Sequence, residues 1–129
     1  IDKTIWTKLL LNVAINPVCA ITGLMNGELL LQPELFETGL AAMEEAGRIA
    51  SAEGVDISDL DLATTLEDLC RATSDNRVSM LQDIMAGRRT EIDAICGEVV
   101  RRGEALGIPT PRNETLHALV KGIEKSTQS

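Results

Sequence analysis

Apolar residues recur three or four positions apart along almost the whole chain, and no stretch alternates cleanly between apolar and polar, so the pattern predicts helices and no strands. From about Lys3 to Ile21 the sequence is apolar nearly all round, which describes a helix buried on most sides, and Pro17 is expected to kink or end it near Asn16. Asn26-Gly27 reads as a turn. Gln32-Pro33-Glu34 then opens a second long helix with Pro at the first helical position and an acid in the first turn. Leu35, Phe36, Leu40, Met43, Ala46, Ile49 and Ala50 form its inner face, and Gly54 ends it. Ser58 or Asp59 is a candidate start for a short helix, and Thr64 or Thr65 for a better one with Leu66, Leu69 and Cys70 inward. Past the polar loop Ser74-Asp75-Asn76, residues Ser79 to Met85 make a short helix closed by Gly87. Thr90 is placed to cap the next, with acidic Glu91 and Asp93 in its first turn, Ile92, Ile95, Cys96 and Val99 on its core face, and an end near Gly107. The segment Gly107-Ile108-Pro109-Thr110-Pro111 cannot be helical throughout and reads as a rigid connector. Leu116, Leu119, Val120 and Ile123 are the inner face of the last helix, and Lys125 to Ser129 are expected to fray. The expected fold is all-α, a multi-helix bundle forming one domain over residues 1–129.

Three polar positions in the first helix stand out, Lys8, Asn12 and Asn16. A step of four residues advances roughly 40° around an α-helix, so one ammonium and two amides share a single stripe. Polar groups on a buried helix are costly without partners, so the stripe faces either polar groups of the protein or a cavity that admits a polar ligand. On spacing alone Asn26 is a turn residue, Ser79 a residue near a helix start and Glu91 a first-turn acid on the helix dipole.

Composition narrows the picture. With one Trp, one Phe and no Tyr the core must be aliphatic, and a net charge of −8 without stacking aromatics excludes a general nucleic-acid binder. Cys19, Cys70 and Cys96 are odd in number and lack C-x-x-C spacing, which argues against a disulfide framework or a zinc site and for buried reduced thiols in a cytoplasmic protein. The apolar run Leu9 to Met25 is short for a bilayer and carries two Asn and a Pro, so it reads as a core helix and no membrane partner is expected. The lone His117 follows Glu114 at carboxylate-x-x-His spacing, but a di-iron bundle needs that motif twice, and no metal is expected. No Gly-rich phosphate loop is present. The first residue is Ile rather than Met, which reads as a piece of a longer protein.

Taken in order, Trp6-x-Lys8-x-x-x-Asn12-x-x-x-Asn16-Pro17, Asn26-Gly27, Ser79-Met80-Leu81-Gln82-Asp83, Arg89-Thr90-Glu91-Ile92-Asp93 and Gly107-Ile108-Pro109-Thr110-Pro111 resemble the C-terminal domain of ketopantoate reductases (2-dehydropantoate 2-reductases). The resemblance implies the helical fold of the 6-phosphogluconate dehydrogenase C-terminal class, lacking here its N-terminal Rossmann partner, which would bind most of the NADPH. It implies NADPH-dependent reduction of 2-dehydropantoate to pantoate, on the route to pantothenate and coenzyme A. Within that reading Lys8 is the general acid, expected to be partly buried. Asn12, Asn16, Asn26 and Ser79 bind substrate, and Glu91 lies near the nicotinamide end of the cofactor and orients Lys8. The implied partners are a small 2-keto acid and the Rossmann domain; a second copy of the chain is the other candidate for any exposed apolar face. Two alternatives stay open, a reductase of another 2-keto acid and a non-catalytic helical dimerisation or binding module.

Overall fold

A computed structural model describes residues 1–127. Six helices, α1 (Lys3–Thr22), α2 (Pro33–Ala52), α3 (Leu62–Ala72), α4 (Ser79–Met85), α5 (Cys96–Leu106) and α6 (Pro111–Thr127), are joined by loops and by 3₁₀ segments at Asn26–Leu31 and Ile92–Ala94. Among the described residues there is no strand, so the all-α expectation holds. The core is aliphatic apart from the fully buried Trp6, whose indole lies under the Arg102 guanidinium, 5.6 Å from the ring centre.

The organising element is α1, which packs against α2, α4 and α6 and touches α3. Asp2 caps it, its carboxylate accepting from the Ile5 N–H at 2.9 Å, and Gly23 ends it in the left-handed conformation at φ +77°. The helix neither stops at Asn16 nor breaks at Pro17; it runs on to Thr22. Every residue from Val13 to Ala20 is buried, and that packing outweighs the roughly 3 kcal/mol a mid-helix proline costs. By length and composition α1 is the one described helix apolar enough to cross a membrane, and here the fold buries most of it, including every residue from Val13 to Ala20.

The backbones of α1 and α2 touch at Gly39, where an added Cβ would stand 2.3 Å from the Ala14 carbonyl oxygen. A backbone atom cannot swing aside as a side chain can. Gly39→Ala is therefore expected to force the two helices apart and to lower stability by about 2 kcal/mol, read as a fall in the urea midpoint at unchanged slope.

Several boundaries differ from the pattern. No helix begins at Ser58 or Asp59, because the Asp56 carboxylate holds the Ser58 N–H and hydroxyl at 2.9 and 2.6 Å in a local turn that competes with helix formation. The third helix starts at Leu62 rather than at Thr64 or Thr65, since Asp61 is its cap and accepts from the Thr64 N–H at 3.1 Å. Thr90 precedes a 3₁₀ turn, and α5 begins only at Cys96, after a break at Ile95 where ψ is −91°. On α6 the inner face is Asn113, Leu116, Val120 and Glu124, and Leu119 is 49% exposed, so that helix is turned from the expected face. Lys125 to Thr127 are helical, and the rest of the expected frayed end lies outside the described residues.

Two buried carboxylates tie distant elements together. Glu45 of α2 accepts from the Arg112 and Asn113 N–H groups and the Asn113 amide, capping α6 from across the fold. Glu124 of α6 accepts from both the N–H (2.8 Å) and the hydroxyl of Thr90. Burial pushes the Glu124 carboxyl up, but the two Thr90 hydrogen bonds together with Lys121 leave it below the usual range. Asp93 is also held low, chiefly by its hydrogen bond to His117 and further by Lys121 and Arg89. A depressed folded-state pKa stabilises the fold above the unfolded pKa, and that contribution disappears as pH falls through the folded value. Stability is accordingly expected to drop between about pH 5 and pH 3, with Glu124→Gln flattening that limb in unfolding curves recorded across the range.

Candidate active site

The stripe on α1 is graded in exposure. Lys8 is exposed, Asn12 half-buried and Asn16 8% exposed, so the three run from solvent into the core along one side of the helix. The Asn16 Nδ2 donates to the Asn12 Oδ1 at 3.2 Å, which leaves the Asn12 amide nitrogen and the Asn16 carbonyl oxygen for a ligand. Lys8 is not partly buried as expected. It borders an open groove with Lys3, Thr4, Thr7 and Leu11, toward the end of α1 where the neighbouring helices stop covering it. No carboxylate pairs with its ammonium among the described residues.

Ser79 is the first residue of α4, a helix packed on α1, and it is exposed. Val78 holds the cap position, so the Ser79 hydroxyl is not spent on capping. Asn26 is 6% exposed and opens a 3₁₀ segment that packs on both α1 and α3. Asn26-Gly27 is therefore a docking point rather than a free turn. The Asn26 N–H donates to the Asn76 carbonyl (2.9 Å), the Gly27 N–H to the Ser74 carbonyl (3.0 Å), and a Cβ on Gly27 would fall 2.0 Å from the Ser74 Oγ. Here glycine serves close approach, since the φ of Gly27 is not positive. Glu91 is exposed just before the 3₁₀ turn Ile92–Ala94 and makes no capping bond. That turn packs on α5 and α6, whereas the other five candidates lie on α1 or on segments packed against it. Among the six candidates the one direct hydrogen bond is Asn16 to Asn12.

The sequence reading missed Thr73, whose hydroxyl oxygen accepts from the Asn26 Nδ2 at 2.9 Å. No local signal reveals a partner 47 positions away. The three cysteines are free and buried, and burial above all raises their thiols, Cys19 and Cys96 to about 12 and Cys70 to about 11, so none is a nucleophile near neutral pH. His117 hydrogen-bonds Asp93 at 2.7 Å rather than pairing with Glu114, and Arg88 and Arg89 are engaged by Asp83 and Asp93.

Residues 1–124 match the family model described as ketopantoate reductase PanE/ApbA, C terminal. The chain belongs to this family. It is 39% identical over 124 residues to the 2-dehydropantoate 2-reductase of Archaeoglobus fulgidus, an alignment covering 96% of this chain and 41% of that one. A solved ketopantoate reductase of the PanE/ApbA family from Ralstonia eutropha JMP134 superposes with a TM-score of 0.87 at 40% identity, over 96% of this chain and 41% of the other. D-mandelate dehydrogenase, in a ternary structure with NADH and anilino(oxo)acetate, gives a TM-score of 0.91 at 26% identity, over 98% and 53%. The chain thus spans about two-fifths of the length of the ketopantoate reductases it matches.

Proposed function

We propose that this chain is the substrate-binding and proton-donating half of an NADPH-dependent 2-dehydropantoate 2-reductase, with a Rossmann domain as its partner and the cytoplasm as its setting. The observation that carries the reading is the graded stripe of Lys8, Asn12 and Asn16 on α1 in a chain of this family. NADPH, when bound mainly by the partner domain, supplies the hydride to the keto carbon. Negative charge then develops on the keto oxygen. An exposed, unpaired ammonium at the mouth of the stripe fits the need both to stabilise that charge and to release a proton to it. The Asn12 amide nitrogen offers donors to a ketone or carboxylate oxygen. The Ser79 hydroxyl, free at the start of α4, suits a carboxylate as well. The Glu91 carboxylate is exposed and fits acceptance of a hydroxyl or of the Lys8 ammonium at the nicotinamide end.

A second reading, a reductase of a different 2-keto acid, is favoured by the fold match to D-mandelate dehydrogenase, whose structure was solved with NADH and an oxo-acid analogue. The two are separated by following NADPH oxidation by the full-length protein with 2-dehydropantoate, pyruvate and 2-ketoisovalerate in parallel. Preference for 2-dehydropantoate is expected; preference for another acid would transfer the assignment to that substrate. No turnover of any of the three by folded, NADPH-bound protein would favour a non-catalytic helical module.

A further inference from the structure

We infer that Glu124 is a positioning residue for the Glu91 carboxylate, acting through Thr90. The inference rests on Glu91 meeting the nicotinamide end of the cofactor, as proposed above. Glu91 lies between two buried residues, Thr90 and Ile92, while its own side chain is exposed.

One oxygen of Glu124 holds the backbone on both sides of Glu91. The Glu124 Oε2 accepts from the Thr90 N–H at 2.8 Å and from the Thr90 hydroxyl. The Thr90 hydroxyl oxygen in turn accepts from the Ile92 N–H at 3.2 Å. The direction of this relay is fixed at both ends, because an ionised carboxylate has no proton to give and an N–H accepts none. Glu124 is ionised at neutral pH, its carboxyl being held below the usual range. The peptide unit that joins Glu91 to Ile92 is also pinned through its carbonyl, which accepts from the Ala94 N–H at 2.9 Å.

The cations next to Glu91 are engaged elsewhere. Arg88 pairs with Asp83 at 3.1 Å and Arg89 with Asp93 at 3.4 Å, and Asp93 also takes His117 and Lys121. No ion pair among the described residues includes Glu91. With no ionic partner of its own, the Glu91 carboxylate is aimed by the backbone that carries it, and that backbone is referred to one buried point on α6. A turn left free would have to be ordered when the cofactor binds, and the cost would appear in affinity.

The test titrates the full-length protein with NADPH in a calorimeter, without keto acid. A loss of folded protein then lowers the stoichiometry, whereas a misplaced Glu91 raises the dissociation constant. Glu91→Ala is expected to weaken NADPH binding about tenfold and Glu124→Ala about fivefold at unchanged stoichiometry. Glu124→Gln keeps an acceptor oxygen for Thr90 and should stay within about twofold of the wild type. In the Glu91→Ala background, adding Glu124→Ala should weaken binding no further, since no carboxylate is left to aim. Should Glu124→Ala fail to fold, Thr90→Val breaks the relay at the hydroxyl and is compared in the same way, with Thr90→Ser as its rescue. A dissociation constant unmoved by Glu124→Ala, or a second fivefold loss in the Glu91→Ala background, overturns the role of Glu124. An NADPH affinity untouched by Glu91→Ala overturns the cofactor reading of Glu91 and this inference with it, and that variant alone reveals the case.

Discussion

Lys8→Ala in the full-length enzyme is expected to lower kcat for 2-dehydropantoate by about 100-fold or more, with little change in NADPH affinity. The size follows from the two tasks the ammonium would perform at once. It would lie against the oxygen on which charge develops, and it would hand over the proton that completes the alcohol. The exposure of Lys8 makes the prediction clean, because no salt bridge among the described residues depends on it and its removal should leave the fold intact. Lys8→Arg separates the two tasks. Arginine keeps the charge but does not surrender its proton near neutral pH, so it should recover only part of the rate. Turnover unchanged in both variants would take Lys8 out of the mechanism.

The second large effect concerns stability. Glu45→Ala is expected to cost about 4 kcal/mol, because one buried carboxylate satisfies three donors. Its contacts are the Arg112 N–H at 2.9 Å, the Asn113 N–H at 3.0 Å and the Asn113 amide at 2.9 Å, and Asn113 is fully buried. The carboxylate also sits at the positive end of the α6 dipole. Glu45→Gln keeps the shape and one acceptor oxygen and should cost roughly half as much. Both are read from urea midpoints; a loss near zero for the alanine variant would mean that water replaces the carboxylate.

The helices were legible because their signals are local. Pro33 at a first helical position, the positive-φ glycines 54, 87 and 107 past helix ends, and apolar residues at helical spacing each act within one or two turns. The stripe on α1 was legible for the same reason. Glu45, Glu124 and Thr73 were not, because each satisfies donors or fixes a side chain on an element dozens of residues away. Asp61 was legible and was passed over in favour of the threonines that follow it. Pro17 shows a local rule overridden by packing. The exposure of Lys8 lay beyond the pattern, since a helix apolar on every side does not reveal where its neighbours stop.

The helix that carries the stripe is also the one around which the domain is assembled, touching α2, α3, α4 and α6. Its inner residues cannot drift without unsettling the whole bundle, so α1 offers little room for altering what is bound. A relative that came to accept a different keto acid would be expected to change first where side chains hang from the flanking segments, at the 3₁₀ stretch after α1, the end of α3 and the start of α4. Chemistry would then be inherited with the scaffold, and substrate choice would evolve around it.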